Sequence, residues 1–193
     1  MANKVTYGFD KVHYALYKEG NDGALGTFET PIRIPGAVGF SPTAQGSKSD
    51  FWADNTNYFS VTQDNGVQGD LEMALFPEKF LVDVLNWALD TKGILIERAN
   101  VAQNPFALLF EVLGDEEPIR VCYYHCLGAK PNDAYITAKD NATIQGKTMA
   151  ITAKPLDFGD FATAKTSATR SKDPATFSSW FNQVYIPTSI AQG

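Results

Sequence analysis

The chain reads as a mainly β fold with minor helix (α+β), and three observations carry that reading. Period-two alternation of apolar and polar residues recurs along most of its length. Clusters of Gly, Asn, Asp and Pro separate the alternating runs. Only residues 77–93 and 173–186 switch to helical spacing. The 193 residues are enough for one well-formed core, and 44% apolar with 12% aromatic content describes a folding chain. Sixteen basic against 22 acidic residues give a net charge of −6, which disfavours a general nucleic-acid surface. The N-terminus has no signal-peptide pattern, and no run approaches the ~20 apolar residues of a membrane helix. A soluble, cytoplasmically made protein with no membrane partner is expected.

Residues 6–18 form the first strand, with Val12, Tyr14 and Leu16 on one face, and end at Glu19-Gly20-Asn21-Asp22-Gly23. Residues 27–34 return as its hairpin partner. Residues 41–65 show no sustained period, and a structureless loop of that length is improbable unless it is functional or held by something else. Phe51, Trp52, Tyr58 and Phe59 make it costly to leave in water. Two readings stand: a hairpin folded onto the core, or an arm that docks on a partner with these aromatics as anchors.

Residues 66–93 join a strand to a helix. Val67, Leu71, Met73 and Leu75 point one way and Gln68, Asp70 and Glu72 the other. Pro77 suits the first helical position and Gly93 the residue past the last. Over that span Trp87, Phe80, Val84, Ala88, Leu81, Leu85 and Leu89 sweep an arc of roughly 200°, wider than one surface requires. Either the helix is sunk in its own core or a second surface, such as another subunit, covers part of it.

A short strand at residues 94–97 is followed by a stronger one at 105–113, then by the turn Gly114-Asp115-Glu116-Glu117-Pro118 and a return strand at 119–129. The strand at 105–113 is apolar on both faces, Leu108, Phe110 and Val112 against Leu109 and Leu113, so it belongs in the middle of the sheet. Residues 143–153 close the core. Residues 157–172 are rich in Thr, Ala and Ser and read as a mobile linker. Asp173-Pro174 reads as N-cap and first helical residue of a short helix carrying Phe177, Trp180, Phe181, Val184 and Tyr185. Its stripe must be buried on its own domain or on a neighbour's. The division expected is a domain at 1–155 and a linker plus helix at 156–193.

No catalytic, metal or cofactor site emerges. Cys122 and Cys126 flank Tyr123-Tyr124-His125 in a β-rich segment, where residues four apart are separated by about 13 Å, too far for a disulfide or a shared zinc. Both read as reduced structural thiols. Gly146-Lys147-Thr148 lacks the upstream glycine of a phosphate loop. Asp115, Glu116 and Glu117 sit at a hairpin tip with no cleft. No enzymatic activity is expected.

Ordered blocks nevertheless resemble a known family. They are Tyr7-Gly8-Phe9-Asp10-Lys11-Val12-His13-Tyr14-Ala15, Ile34-Pro35-Gly36-Ala37-Val38, Phe51-Trp52-Ala53-Asp54-Asn55, Asn65-Gly66-Val67-Gln68-Gly69-Asp70-Leu71-Glu72-Met73-Ala74-Leu75, Pro105-Phe106-Ala107-Leu108-Leu109-Phe110-Glu111 and Thr152-Ala153-Lys154-Pro155. They are similar to the successive blocks of the major tail proteins of long-tailed, non-contractile (siphovirus-type) bacteriophages, over residues 6–155.

The resemblance implies two packed antiparallel sheets forming a sandwich or barrel with one flanking helix. It implies a virion protein, made in the host cytoplasm, whose hexameric rings stack into a tail tube for genome ejection. Its partners would be further copies of itself, tail proteins such as tape measure and terminator, and DNA passing without specific binding. On that reading Phe51, Trp52, Tyr58 and Phe59 make the inter-ring contact, and Asp70 and Glu72 are candidate lumen acids, a solvent or subunit face being the alternative. Trp87, Leu89, Phe177, Trp180, Phe181 and Tyr185 are candidate inter-subunit residues. A β-sandwich carbohydrate-binding or adhesion module, with Trp52 and Tyr58 as a stacking platform, is the alternative function.

Overall fold

β1 (Thr6–Lys18) and β8 (Phe106–Gly114) pair antiparallel through the middle of one large sheet. The computed structural model describes residues 3–21, 24–133, 135, 137 and 146–189. Along the chain β1 is followed by β2 (Thr27–Phe28), β3 (Ile32–Arg33), β4 (Ala37–Ala53) and β5 (Thr56–Met73). Helix α1 (Glu78–Leu85), β6 (Ala88–Leu89) and β7 (Leu95–Ile96) lead to β8, β9 (Ile119–Gly128) and β10 (Lys147–Ala153). The last elements are β11 (Leu156–Asp157), β12 (Ala162–Thr163), β13 (Lys165–Thr169) and α2 (Pro174–Ser179). The sheet order is β2-β1-β8-β9-β10-β5-β4, with β3 beside β2 on β1 and β13 beside β10 on β9. The architecture is mainly β, antiparallel and sandwich-like, as expected. The sheet curls until Phe40 on β4 meets Phe110 and Tyr123, yet no β1–β4 ladder closes a barrel among the described residues.

β8 is buried on both faces, as its composition predicted. Leu108 and Phe110 join the main core with Val12, Tyr14, Leu71, Met73, Tyr123, Met149 and Ile151. Ala107 and Leu109 face a second cluster with Ala15, Cys122, Tyr124 and Trp180. Leu113 is the exception, since it lies at the exposed end of the strand.

Helix α1 lies over the main core with Phe80, Leu81, Val84 and Leu85. It is shorter than the periodicity predicted. Asn86 takes a left-handed conformation (φ 57°) and caps it, a geometry Asn tolerates better than most residues. Trp87, Ala88 and Leu89 are therefore not helical, and the wide arc resolves into a narrow stripe plus a small β6–β7 hairpin. Gly93 (φ 80°) turns that hairpin instead of ending the helix. Leu75 is also corrected: β5 ends at Met73 and Leu75 is exposed, whereas Phe76 turns into the core.

The second face is covered by the C-terminal segment. The Asp173 carboxylate accepts from the amides of Ala175 (3.0 Å) and Thr176 (3.1 Å), with Pro174 in the first turn, so the predicted cap is present. Phe177 and Trp180 are buried within the chain, each contributing about 2–3 kcal/mol by burial of its ring. Trp180 Nε1 donates to Val121 O at 3.4 Å, and Tyr124 Oη donates to Tyr185 O at 2.8 Å. The helix thus docks on its own domain, leaving Phe177 and Trp180 no surface for a neighbour. The linker expected at 157–172 is likewise replaced: Lys165–Thr169 is β13, paired with β9 over Ile119–Tyr123. Short polar side chains hid a strand whose partners are backbone groups.

β9 carries a bulge, since Phe106 and Leu108 on β8 meet Cys126 and Tyr123, two residues against three. The bulge turns Cys126 into the main core and leaves Cys122 in the second. Both thiols are free and buried, and burial pushes both well above the usual thiol range.

One buried charge ties the layers. Glu111 on β8 faces Arg120 on β9 in register and binds its Nε at 2.8 Å, while Lys11 Nζ lies 2.5 Å from the other carboxylate oxygen. A left-handed Lys11 (φ 55°) at a β1 register shift brings that ammonium inward. The Arg120 guanidinium also covers the Phe177 ring at 3.9 Å and donates to Phe177 O. Burial pulls the Glu111 carboxyl upward, but hydrogen bonds from Lys11 and Arg120 outweigh it and hold the group below its usual range. A depressed acid contributes stability above its unfolded value of about 4.3 and loses it as pH falls through the folded value. Glu111→Gln should cost about 3–5 kcal/mol at pH 7, because Arg120 is left uncompensated. Urea unfolding across pH 2–7 should also show a shallower acid dependence in the variant than in the wild type.

Candidate assembly surface

β4 and β5 form a ladder that runs from Ala37 opposite Met73 to Ala53 opposite Thr56. Asp54 (φ 51°) and Asn55 (φ 58°) make the two-residue turn between them, the primed geometry that suits the twist of a hairpin. β10 accompanies β5 only from Val67 to Met73. Beyond that the hairpin is a two-stranded ribbon reaching roughly 27 Å at about 3.3 Å per residue. Gly66 permits the departure: its φ is 92°, and a Cβ there would lie 2.1 Å from Ala153 O. The stretch at 41–65, which shows no sustained period in sequence, is thus a hairpin that projects from the core instead of folding onto it.

Its aromatics are bare. Phe51 is 62% exposed, Trp52 65%, Tyr58 73% and Phe59 60%. Phe51 and Phe59 are direct cross-strand partners with Ser49 and Val61 next along the same face. Trp52 follows Phe51 and so takes the reverse face. One face of the tip is aromatic, whereas on the other Trp52 stands beside a polar cluster in which Asp50 accepts from Ser60 and pairs with Lys48 at 3.1 Å. A lone two-stranded ribbon is marginally stable in water.

Asp70 and Glu72 lie exposed on the outer face of β5. Ladder partners place Ser41 and Ala150 beside Asp70, and Gly39 and Thr148 beside Glu72, so the surrounding face is small and uncharged. Neither acid has an ion-pair partner among the described residues. The other candidates scatter. Trp87 packs at the edge of the main core, Leu89 is exposed on β6, Phe181 stacks on His13 with centroids 4.4 Å apart, and Tyr185 stacks on Trp180 at 5.9 Å. Among the described residues no group of three or more His, Cys, Asp or Glu could hold a metal ion.

No family model and no curated protein matches the chain. Among solved structures it is similar to the anti-feeding prophage (AFP) cap, described as a tube terminating cap. That match has a TM-score of 0.51 at 11% identity, over 88% of this chain and 95% of that one. A chain of the AFP baseplate overlaps at a TM-score of 0.45 and 13% identity, over 87% and 97% of the two chains, too loosely to carry an argument. At these identities the likeness is one of fold: this chain shares the fold of the AFP tube terminating cap.

The free ribbon generates a spectroscopic expectation. Of the three tryptophans Trp52 is exposed, Trp87 half-buried and Trp180 buried, so Trp52→Phe should remove the most red-shifted, most acrylamide-quenchable part of the emission of dilute protein. An unchanged quenching constant would mean that the ribbon is already covered.

Proposed function

We propose that this chain is a structural subunit of a phage-tail-type tube, built of stacked rings with the β4–β5 ribbon as the arm that joins one ring to the next. The observation that carries this reading is the ribbon: about 27 Å of unsupported hairpin ending in four exposed aromatics. A folded domain has no use for such a feature by itself, whereas an assembling one buries it. The ordered sequence blocks support the finer reading of a major tail tube protein in hexameric rings, with tape measure and terminator proteins as further partners. The fold likeness to a tail-like particle component agrees with it. The product would be a virion tail through which DNA passes.

Asp70 and Glu72 support a lumen assignment, because an acidic face with no neighbouring cation repels phosphate. Replacing both by lysine should leave assembly intact and slow genome delivery, since cations would hold the DNA backbone. Unchanged infectivity would remove them from the lumen.

Deleting residues 47–57 should abolish tubes in electron micrographs while circular dichroism stays β-type. Normal tubes from the deletion variant would overturn the arm. The AFP tube terminating cap supplies a second reading, in which the chain closes a tube instead of building it. Micrographs of concentrated protein separate the two, because a cap gives single rings and a tube subunit gives extended stacks.

A further inference from the structure

Strand directions fix where the ribbon points. Val67 on β5 lies opposite Ala153 on β10, and Ala153 lies opposite Cys126 on β9. From Gly66 outward the ribbon therefore runs from the level of Cys126 toward the Ile119 end of the sheet and past it. The β6–β7 hairpin lies at the other end. Lys130, just beyond the close of β9, holds Glu97 at 2.5 Å, and Asn104, just before β8 begins, donates its amide to Val84 O at 2.9 Å.

This far end is also unfinished. Leu89, Ile94 and Ile96 are exposed there. Beside them a cavity of about 140 Å³ is lined by Trp87, Arg98, Val101, Gln103 and Lys130, among others. Cavities of about 150 Å³ hold a benzene ring, so this one has room for a single six-membered ring, such as the benzo edge of an indole.

We propose that this cavity receives the ribbon tip of a second copy, with Trp52 at the cavity mouth and the Asp54 carboxylate on the Arg98 guanidinium. The proposal rests on the reading of the ribbon as an assembly arm and names its seat. Trp52 is 65% exposed at the end of the ribbon, and a concave surface covers more of such an indole than a flat sheet does. Lys130 at the rim is already held by Glu97, which also lines the cavity, so Arg98 is the cation left to meet the incoming tip. The charges match as well: Asp54 and Arg98 are both exposed and neither has an ion-pair partner among the described residues. Because tip and seat lie at opposite ends, the contact is head-to-tail and repeats without closing, which yields a stack along one axis.

Cysteine trapping tests it, since both native thiols are buried and inert. The doubly substituted Asn55→Cys, Gln103→Cys protein should give a ladder of disulfide-linked multimers under mild oxidation, and a mixture of the two single variants should give dimers only. Dimers from Asn55→Cys alone would mean tip-to-tip pairing and overturn the seat. Charge exchange is the second arm. Asp54→Arg and Arg98→Asp should each lower the sedimenting fraction roughly tenfold, and the two together should restore it. Unaffected single variants, or a double variant that stays defective, would overturn the pair. If the 47–57 deletion still abolishes assembly in that case, the arm stands and only its seat is wrong.

Discussion

Everything in this fold follows from a strand that cannot face water on either side. β8 presents Leu108 and Phe110 to one cluster and Ala107 and Leu109 to the other, so both faces of the sheet centre need covers. α1 with the curled sheet covers one, and α2 covers the other. The covers are held differently. α1 depends on shape, with Phe80 set edge-on to Tyr14 and Phe106, and on the Tyr14 hydroxyl donating to Asp83 at 2.7 Å. α2 is too short to be stable alone and is fastened by Arg120, which stacks on Phe177 while answering Glu111. A buried ion pair contributes little net stability, but this one orients a guanidinium that no apolar residue could replace in both roles.

What could be read from the residues divides along a physical line. Elements with one wet face and one dry face announced themselves: β1, the inner half of β5, β10, and the capped α2. The two-faced β8 was equally plain, because only burial explains such a run. The outer half of the hairpin was not, since a ribbon wet on both faces has no reason to alternate. Its one local signal was Asp54-Asn55, residues that accept the left-handed turn. β13 failed for a related reason: Lys165–Thr169 is held through backbone bonds to β9 and needs no apolar pattern. The helix at 77–93 was overrun because Trp87 and Leu89 fell on helical spacing by chance, while the stop signal was an asparagine cap instead of a glycine.

The candidate surface was legible in kind and not in shape. Bare aromatics in an unaccounted stretch left open a hairpin on the core or a docking arm, and the stretch is a projecting hairpin with Phe51, Trp52, Tyr58 and Phe59 exposed. That the stretch is a two-stranded ribbon, and that it leaves the sheet at Gly66 where a side chain would strike Ala153 O, required the pairing of β5 with β10. Of the inter-subunit residues expected near the C-terminus, Phe177 and Trp180 are buried within the chain, Phe181 packs against the second core and Tyr185 stays partly exposed, because a stripe that needs cover takes the nearest one.

The ribbon's lack of support also has a kinetic side. A hairpin that is marginal in water becomes fully ordered only when something holds it, so the first contact between two copies bears an ordering cost. Once one arm is seated, its neighbours in the same ring are brought to their seats at high effective concentration. Under the assembly proposed above, growth would be slow to nucleate and fast to extend. Free subunits would then persist until a preformed end offers them a whole circle of seats at once.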